Sequence, residues 1–365
     1  MKVSSLRVLH LPTNTASIPS HTVHGLRGIG VDARGLVMRD LENQSAEGLK
    51  IMDPKNSRQW SPMWVRSLVR RFHYFVRWVS WADIVHWYFD SSILPFGLDL
   101  KMIKVLKKPA VVEWLGSDIR IPEIEFEDNP YYKAAFPNGY EYQSENYQRS
   151  RQTQKRFVKA GFVPVVIPCM IQYIQKDICP RFYKIWQPIR LDGFIPRCGD
   201  RRKRKPLIVH VTSAPVAKGT AAVLKAVDRL KKKYDFEFIL IQGMIREKVL
   251  ELIQQADIFL DQFVIGYYGM AALEAMGFGK PVLCYIKPSL LKEEAPDLPI
   301  VNANPENLVE PLEAILCDGR LRYEIGKRSR AYVEKYHDAT KVAHQLVDIY
   351  QEVIKERRRR SSLCI

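Results

Sequence analysis

Short apolar runs and longer amphipathic stretches alternate along this chain. In the first half, RVLHLP (7–12), a run inside IGVDARGLVM (29–38), ADIVHWYF (82–89), PAVVEWLG (109–116), VPVVIP (163–168) and FYKIWQP (182–188) each read as a strand. A long helix precedes the third strand, and a basic helix at about 98–107 precedes the fourth. The runs are apolar throughout instead of alternating, which predicts a parallel sheet covered by helices on both faces. The pattern then restarts with LIVHVTS (207–213) and a helix from about 218 to 233. FEFILIQG (236–243), a helix at about 246–255, ADIFLDQ (256–262), a helix after GYYG, KPVLCYI, PIVNA and further helices complete it.

Between the halves, DGFIPRCGDRRKRKP (192–206) combines proline, glycine and a charge run, as linkers do. The expected organisation is α/β: a Rossmann-like domain over 1–190, a basic linker over 191–206 and a second Rossmann-like domain over 207–340. A helix and basic tail fill 341–365. Ligands of such sheets sit at the carboxyl ends of the strands, so two facing units would place theirs in the cleft between them.

At 365 residues, 47% hydrophobic and 26% charged, the chain is long enough for two cores. No stretch approaches the ~20 apolar residues of a membrane-spanning helix. MKVSSLRVLHLP reads as a first strand, not a signal peptide. The six cysteines (169, 179, 198, 284, 317, 364) form no CxxC pair and read as reduced thiols of a cytosolic protein, with Cys284 and Cys317 in apolar contexts. No histidines are better spaced for a metal than His21 and His24, which read as surface residues of a helix, so no metal site is expected.

The net charge of +16 does change the picture. It calls for a polyanionic neighbour: an anionic lipid surface, nucleic acid or phosphorylated substrates. RRKRK (201–205) and ERRRR (356–360) carry part of it and read as solvated linker and tail. SPMWVRSLVRRFHYFVRWVSW (61–81) is the other basic stretch. Ser61 and Pro62 suit a helix start. Apolar residues at 64/65, 68/69, 72, 75/76 and 79 form one stripe, and Arg66, Arg70, His73 and Arg77 another. Two readings stand: a helix packed on its sheet with a basic outer face, or contact with an anionic membrane.

The candidate chemistry lies in GYYGMAALEAMGFGKPV. A glycine turn before a helix lets a ligand approach amides at the positive end of the helix dipole, which suits phosphate. Glu274, further into the helix, suits sugar hydroxyls. TSAPVAKGT (212–220), ADIFLDQ (256–262) and YGMAALEAMGFGKPV (268–282), in this order and spacing, resemble the C-terminal half of GT-B-fold glycosyltransferases, nearest to the retaining family 4. ADIVHWYF and VVEWLGSDIR (111–120) extend the likeness over most of the chain.

The resemblance implies two facing Rossmann-like domains with an interdomain cleft. It implies that amides of Tyr268, Gly269 and Met270 face a diphosphate, that Glu274 holds ribose hydroxyls, and that Lys218 offsets charge on the leaving nucleotide. Gly219 gives backbone access, Thr212 and Ser213 are candidate donors to phosphate or sugar, and Met244 to Arg246 lie where the base is met. On the acceptor side stand Asn14, Thr15 and Ser17, which could equally cap the next helix, with Ser117 and Asp118. Lys218 and Asp118 are the catalytic candidates, Asp118 serving either as a substrate-positioning residue or as a structural turn.

Three positions depart from the family. Gly266 replaces its first glutamate, Thr212 its arginine and Leu115 its histidine. Arg246, Arg190 and Arg120 are candidates to supply the missing cation.

The expected activity is metal-independent, hexosyl-type transfer from a nucleotide-diphosphate sugar, without a separate cofactor. The acceptor would be a lipid-linked or surface-polysaccharide precursor at the inner face of the membrane. By family analogy, retaining transfer needs no dedicated base, because the leaving phosphate can take the acceptor proton. The alternatives are a non-catalytic nucleotide-sugar-binding protein and a transferase acting on nucleic acid.

Overall fold

The computed structural model describes residues 3–39, 44–52, 62–199 and 203–362. The chain begins β1 (Arg7–Leu11), α1 (Ile18–Gly28), β2 (Asp32–Val37), β3 (Leu49–Ile51), α2 (Pro62–Trp81), β4 (Ile84–Tyr88), α3 (Leu98–Val105) and β5 (Ala110–Trp114). It continues with α4 (Pro122–Asp128), α5 (Pro130–Ala135), α6 (Tyr147–Lys159), β6 (Val163–Val166) and β7 (Tyr183–Lys184). Then come β8 (Leu207–Val211), α7 (Pro215–Lys218), α8 (Thr220–Lys231), β9 (Glu237–Ile241), α9 (Arg246–Gln255) and β10 (Ile258–Leu260). The chain ends with α10 (Met270–Gly277), β11 (Val282–Cys284), α11 (Pro288–Leu291), β12 (Val301–Asn302), α12 (Val309–Cys317), α13 (Gly319–Tyr336) and α14 (Ala339–Ser362).

Two parallel sheets result, ordered β3-β2-β1-β4-β5-β6-β7 and β12-β11-β10-β8-β9. The sixth run of the first half shrinks to the two residues of β7, and β3 was not anticipated because LKI is too short to show a pattern. The helix expected from about 218 to 233 is α8, which starts just after Gly219 at φ 72, and the short turn α7 precedes it.

The chain divides into two compact units. Met1–Arg120, Glu145–Arg190 and Ala339–Ile365 form the first; Ile121–Ser144 and Leu191–Asp338 form the second. This differs from a split at a linker over 191–206. Residues 121–144 go with the second unit because Lys287, fully buried, pairs there with Glu125 (3.1 Å) and Asp128 (2.8 Å). Asn129 Nδ2 also donates to Val264 O at 2.8 Å. The terminal helix goes with the first unit because α14 packs on α1. Gly25 permits this approach, since a Cβ there would lie 2.1 Å from Ala339 O.

The first core joins β1, β4, β5 and β6 to α1 and α14 through Val8, Leu26, Ile84, Val111, Val165, Leu346 and Tyr350. In its sheet, His10, His86, Tyr88 and Glu113 are wholly buried. The second core gathers Ile208, Val227, Ile258, Leu260, Leu283 and Leu312.

One expectation needs correction, and two readings gain detail. His21 is buried, not on the surface, and its Nδ1 accepts from Arg190 N at 3.3 Å. Cys317 is exposed, whereas Cys284 is buried. On α2 the apolar stripe is only half covered: Phe75 and Val79 are buried, but Val65, Val69 and Phe72 are 49%, 64% and 45% exposed. Ser61, Arg201 and Arg202 lie outside the described residues. No described helix is long and apolar enough to cross a membrane.

Candidate functional site

Strand order locates the crevice of the second unit. From β8 the chain moves to β9 on one side and then returns to β10 on the other, so the loops after β8 and β10 part between them. Such a switch point, at the carboxyl ends of the strands, is where doubly wound sheets bind ligands. Thr212, Ser213, Lys218 and Gly219 follow β8; residues 261–269 follow β10.

Lys218 ends α7, and its Nζ donates to Val211 O at 3.1 Å. Phe263 N donates to Lys218 O at 3.0 Å and ties the two loops together. Gly219 is needed at that tie, because a Cβ would come within 3.1 Å of Phe263 Cβ at a left-handed φ. Thr212 is buried, and its Oγ1 accepts from Ala214 N, while Ser213 is exposed. His210 bridges Leu260 O (2.9 Å) and Thr220 Oγ1 (3.0 Å). Burial lowers its pKa to about 4, so it is a neutral strut at pH 7. Glu141, from the segment after α5, accepts from Val216 N and Ala217 N, both at 2.8 Å. It steadies the loop that carries Lys218.

Glu274 lies inside α10, buried, with Oε1 2.6 Å from Arg246 Nη1. Burial raises its pKa, and the Arg246 guanidinium pulls it back. Met244 and Ile245, just before α9, are exposed beside that pair. Of the three amides expected to face a diphosphate, that of Gly269 is already taken: it donates to Asp261 Oδ2 at 2.8 Å. Those of the first turn of α10 have no helical acceptor. The Tyr268 side chain is buried, with its hydroxyl donating to Glu294 at 2.9 Å, and Met270 is buried too.

Gly266 explains the missing glutamate. It turns at φ 83, and a Cβ would lie 2.9 Å from Asn129 Nδ2. The residue 121–144 segment occupies the space a side chain would need.

In the first unit the candidates serve local structure. Asn14 Nδ2 donates to Ser45 O, and Ser17 Oγ accepts from Ser45 N, both at 2.8 Å. Thr15 O accepts from Ile18 N and opens α1. Ala16 and Ser17 hold left-handed φ values of 52 and 64. Asp118 is buried and accepts from the amides of Leu115, Gly116 and Ile119, which is the structural-turn arrangement. Burial raises its pKa to about 7. Ser117 stands half-buried in the same turn. Two candidate cations are engaged: Arg120 with Glu145 at 2.6 Å, and Arg190 with Glu47. Among the described residues no three His, Cys, Asp or Glu side chains gather as a metal site.

Asp261, Glu141 and the Arg246–Glu274 pair were not read from the sequence. Only Asp261 carried a signal, as an acid ending the apolar run of ADIFLDQ.

The sequence matches no family model, and no curated protein matches it. Solved structures do. Sucrose-phosphate synthase from Thermosynechococcus elongatus is similar at a TM-score of 0.66 and 12% identity, over 96% of this chain and 100% of that one. WaaG, a glycosyltransferase involved in lipopolysaccharide biosynthesis, matches at 0.55 and 14%, over 94% and 99%. Anabaena HepE, in complex with UDP and glucose, matches at 0.54 and 10%, over 95% and 100%. At such identities the likeness speaks for the fold: the chain has the two-unit, parallel-sheet GT-B fold of these glycosyltransferases.

Proposed function

We propose that this chain is a glycosyltransferase whose second unit holds a nucleotide-diphosphate sugar and whose first unit presents the acceptor hydroxyl. The observation that carries the reading is the meeting of Lys218, the N-terminus of α10 and the buried Glu274 around one switch point of a GT-B fold. The diphosphate lies against the first turn of α10, where the helix dipole and amides favour an anion. Lys218 leaves Val211 O and turns to the phosphates, where it stabilises charge as the sugar–phosphate bond breaks. Glu274, oriented by Arg246, accepts from the ribose hydroxyls, and Met244 and Ile245 meet the base. Arg246 is the cation that stands in for the family arginine.

The transfer retains configuration and needs no metal: the leaving phosphate takes the acceptor proton, and positioning does the rest. HepE's complex with UDP and glucose supports a uridine or similar donor. WaaG's role in lipopolysaccharide supports a surface-glycan or lipid-linked acceptor. The exposed Val65, Val69 and Phe72 beside Arg66, Arg70 and Arg77 on α2 support docking on an anionic membrane, at the cytoplasmic face.

The test is nucleotide release from a panel of sugar nucleotides, with and without membrane lipid extract. Release confined to one donor and stimulated by extract supports the reading. Stimulation by duplex DNA instead would move the acceptor to nucleic acid. Thermal stabilisation by nucleotides with no release from any donor would leave a binding protein.

A further inference from the structure

Asp261 is wholly buried at the end of β10, directly beneath the Gly269 turn. One carboxylate oxygen, Oδ2, accepts from Gly269 N; the other, Oδ1, accepts from no N–H or O–H, and the Cys284 thiol is the remaining donor against the carboxylate. A Cβ built on Gly269 would stand 3.8 Å from both oxygens, so the carboxylate lies against the backbone of the turn over which a diphosphate would rest. A carboxylate with an idle oxygen is a costly thing to bury for holding one amide, since an asparagine would hold it as well.

We propose that Asp261 is a positioning residue that takes up a proton as the diphosphate settles over the Gly269 turn. This rests on the reading of the second unit as a nucleotide-sugar site. The proton comes from solvent, and no bond of the donor is made or broken. Protonation removes the repulsion between two anions across one glycine, while Oδ2 keeps the turn in place for the phosphates.

The charged surroundings fit this exchange. From α7, Lys218 favours the ionised form; from α10, Glu274 opposes it, itself held by Arg246 of α9. His210 of β8 is neutral, and the Cys284 thiol of β11 is pushed far up by burial, so neither supplies charge at pH 7. Burial already raises the Asp261 pKa, with Lys218, the Gly269 amide and the Cys284 thiol pulling it down. A diphosphate that claims Lys218 removes the main pull toward ionisation.

The experiment is calorimetric titration of the full chain with UDP and with GDP, between pH 7.5 and 8.3, in buffers of different ionisation enthalpy. In this range the diphosphate has lost its last proton and the N–H of uracil or guanine still keeps its own. The expected result is uptake of up to one proton per nucleotide, with affinity falling as pH rises by at most about tenfold per unit, the limit for a single linked proton. Asp261→Asn keeps an acceptor for Gly269 N, so it should bind with no uptake, no pH slope and higher affinity than the native chain at pH 8.3. Nucleotide binding without proton uptake by the native chain overturns the proposal, whether or not the variant folds. Unchanged uptake in Asp261→Asn overturns it too. If neither nucleotide binds the native chain, the nucleotide-site reading falls first and this inference with it.

Discussion

At position 266 the backbone turns through φ 83 under the side chain of Asn129. The sequence revealed that a glutamate was missing there, but not why, because Asn129 is far away along the chain. Restoring it by Gly266→Glu should therefore cost stability, about 1–3 kcal/mol from the left-handed backbone alone, and should not raise activity. Denaturant unfolding beside a donor-turnover assay checks this; a stable, more active variant would contradict it. The loop after β1 shows the converse. Its Ala16 sits at φ 52 with no glycine to ease it. Ala16→Gly should stabilise the chain by about 1 kcal/mol, read as a higher denaturation midpoint; a lower midpoint would refute the strain. Asn14 and Ser17 were read as residues for acceptor or cap, whereas both grip Ser45, a partner some thirty residues on that no local pattern indicates.

Elements were more legible than their neighbours. Strand after strand of the two sheets stands where apolar runs lie, because a strand buried on both faces must be apolar throughout. What periodicity cannot say is which part of a stripe finds a cover. On α2 the stripe runs the length of the helix, yet Phe75 and Val79 are buried while Val69 and Phe72 are open to solvent. The exposed half is the part on which the proposed membrane docking rests. Val69→Glu with Phe72→Glu should leave folding stability within about 0.5 kcal/mol, as surface changes do, and should abolish sedimentation with phosphatidylglycerol vesicles. Undiminished sedimentation would remove α2 from the membrane account. At Gly219 the sequence showed a glycine at the helix start, but not that its approach to Phe263 demands a left-handed turn there.

For the molecule as a whole, the sequence showed two α/β halves but not how the chain shares them, since residues 121–144 and α14 each leave the half in which they lie. Buried polar contacts fix both exchanges. In the first unit, His86 Nε2 lies 3.1 Å from Glu113 Oε2, and His86 Nδ1 shares a 2.5 Å hydrogen bond with the hydroxyl of Tyr350 on α14. Burial pushes Glu113 up to about 8 and His86 down to about 3, so the pair is neutral. Because the Glu113 pKa is raised on folding, its contribution is complete below its unfolded value of ~4.3 and is lost as pH climbs toward 8. Because that of His86 is depressed, its contribution is complete above ~6.5 and is lost as pH falls toward 3. Stability should therefore peak between these unfolded values. Glu113→Gln should flatten the decline in melting temperature between pH 6 and 8.5; an identical decline in both proteins would mean the pair is not neutral.

The account as a whole stands on sugar transfer that depends on Lys218. Its most direct measurement is kcat/KM for acceptor-dependent nucleotide release in the native chain and in Lys218→Ala, using the best donor of the panel. Loss of one preorganised charge-stabilising group predicts a fall of about 10²–10³, with the melting temperature unchanged. Equal rates in the two proteins would contradict the assignment of the site.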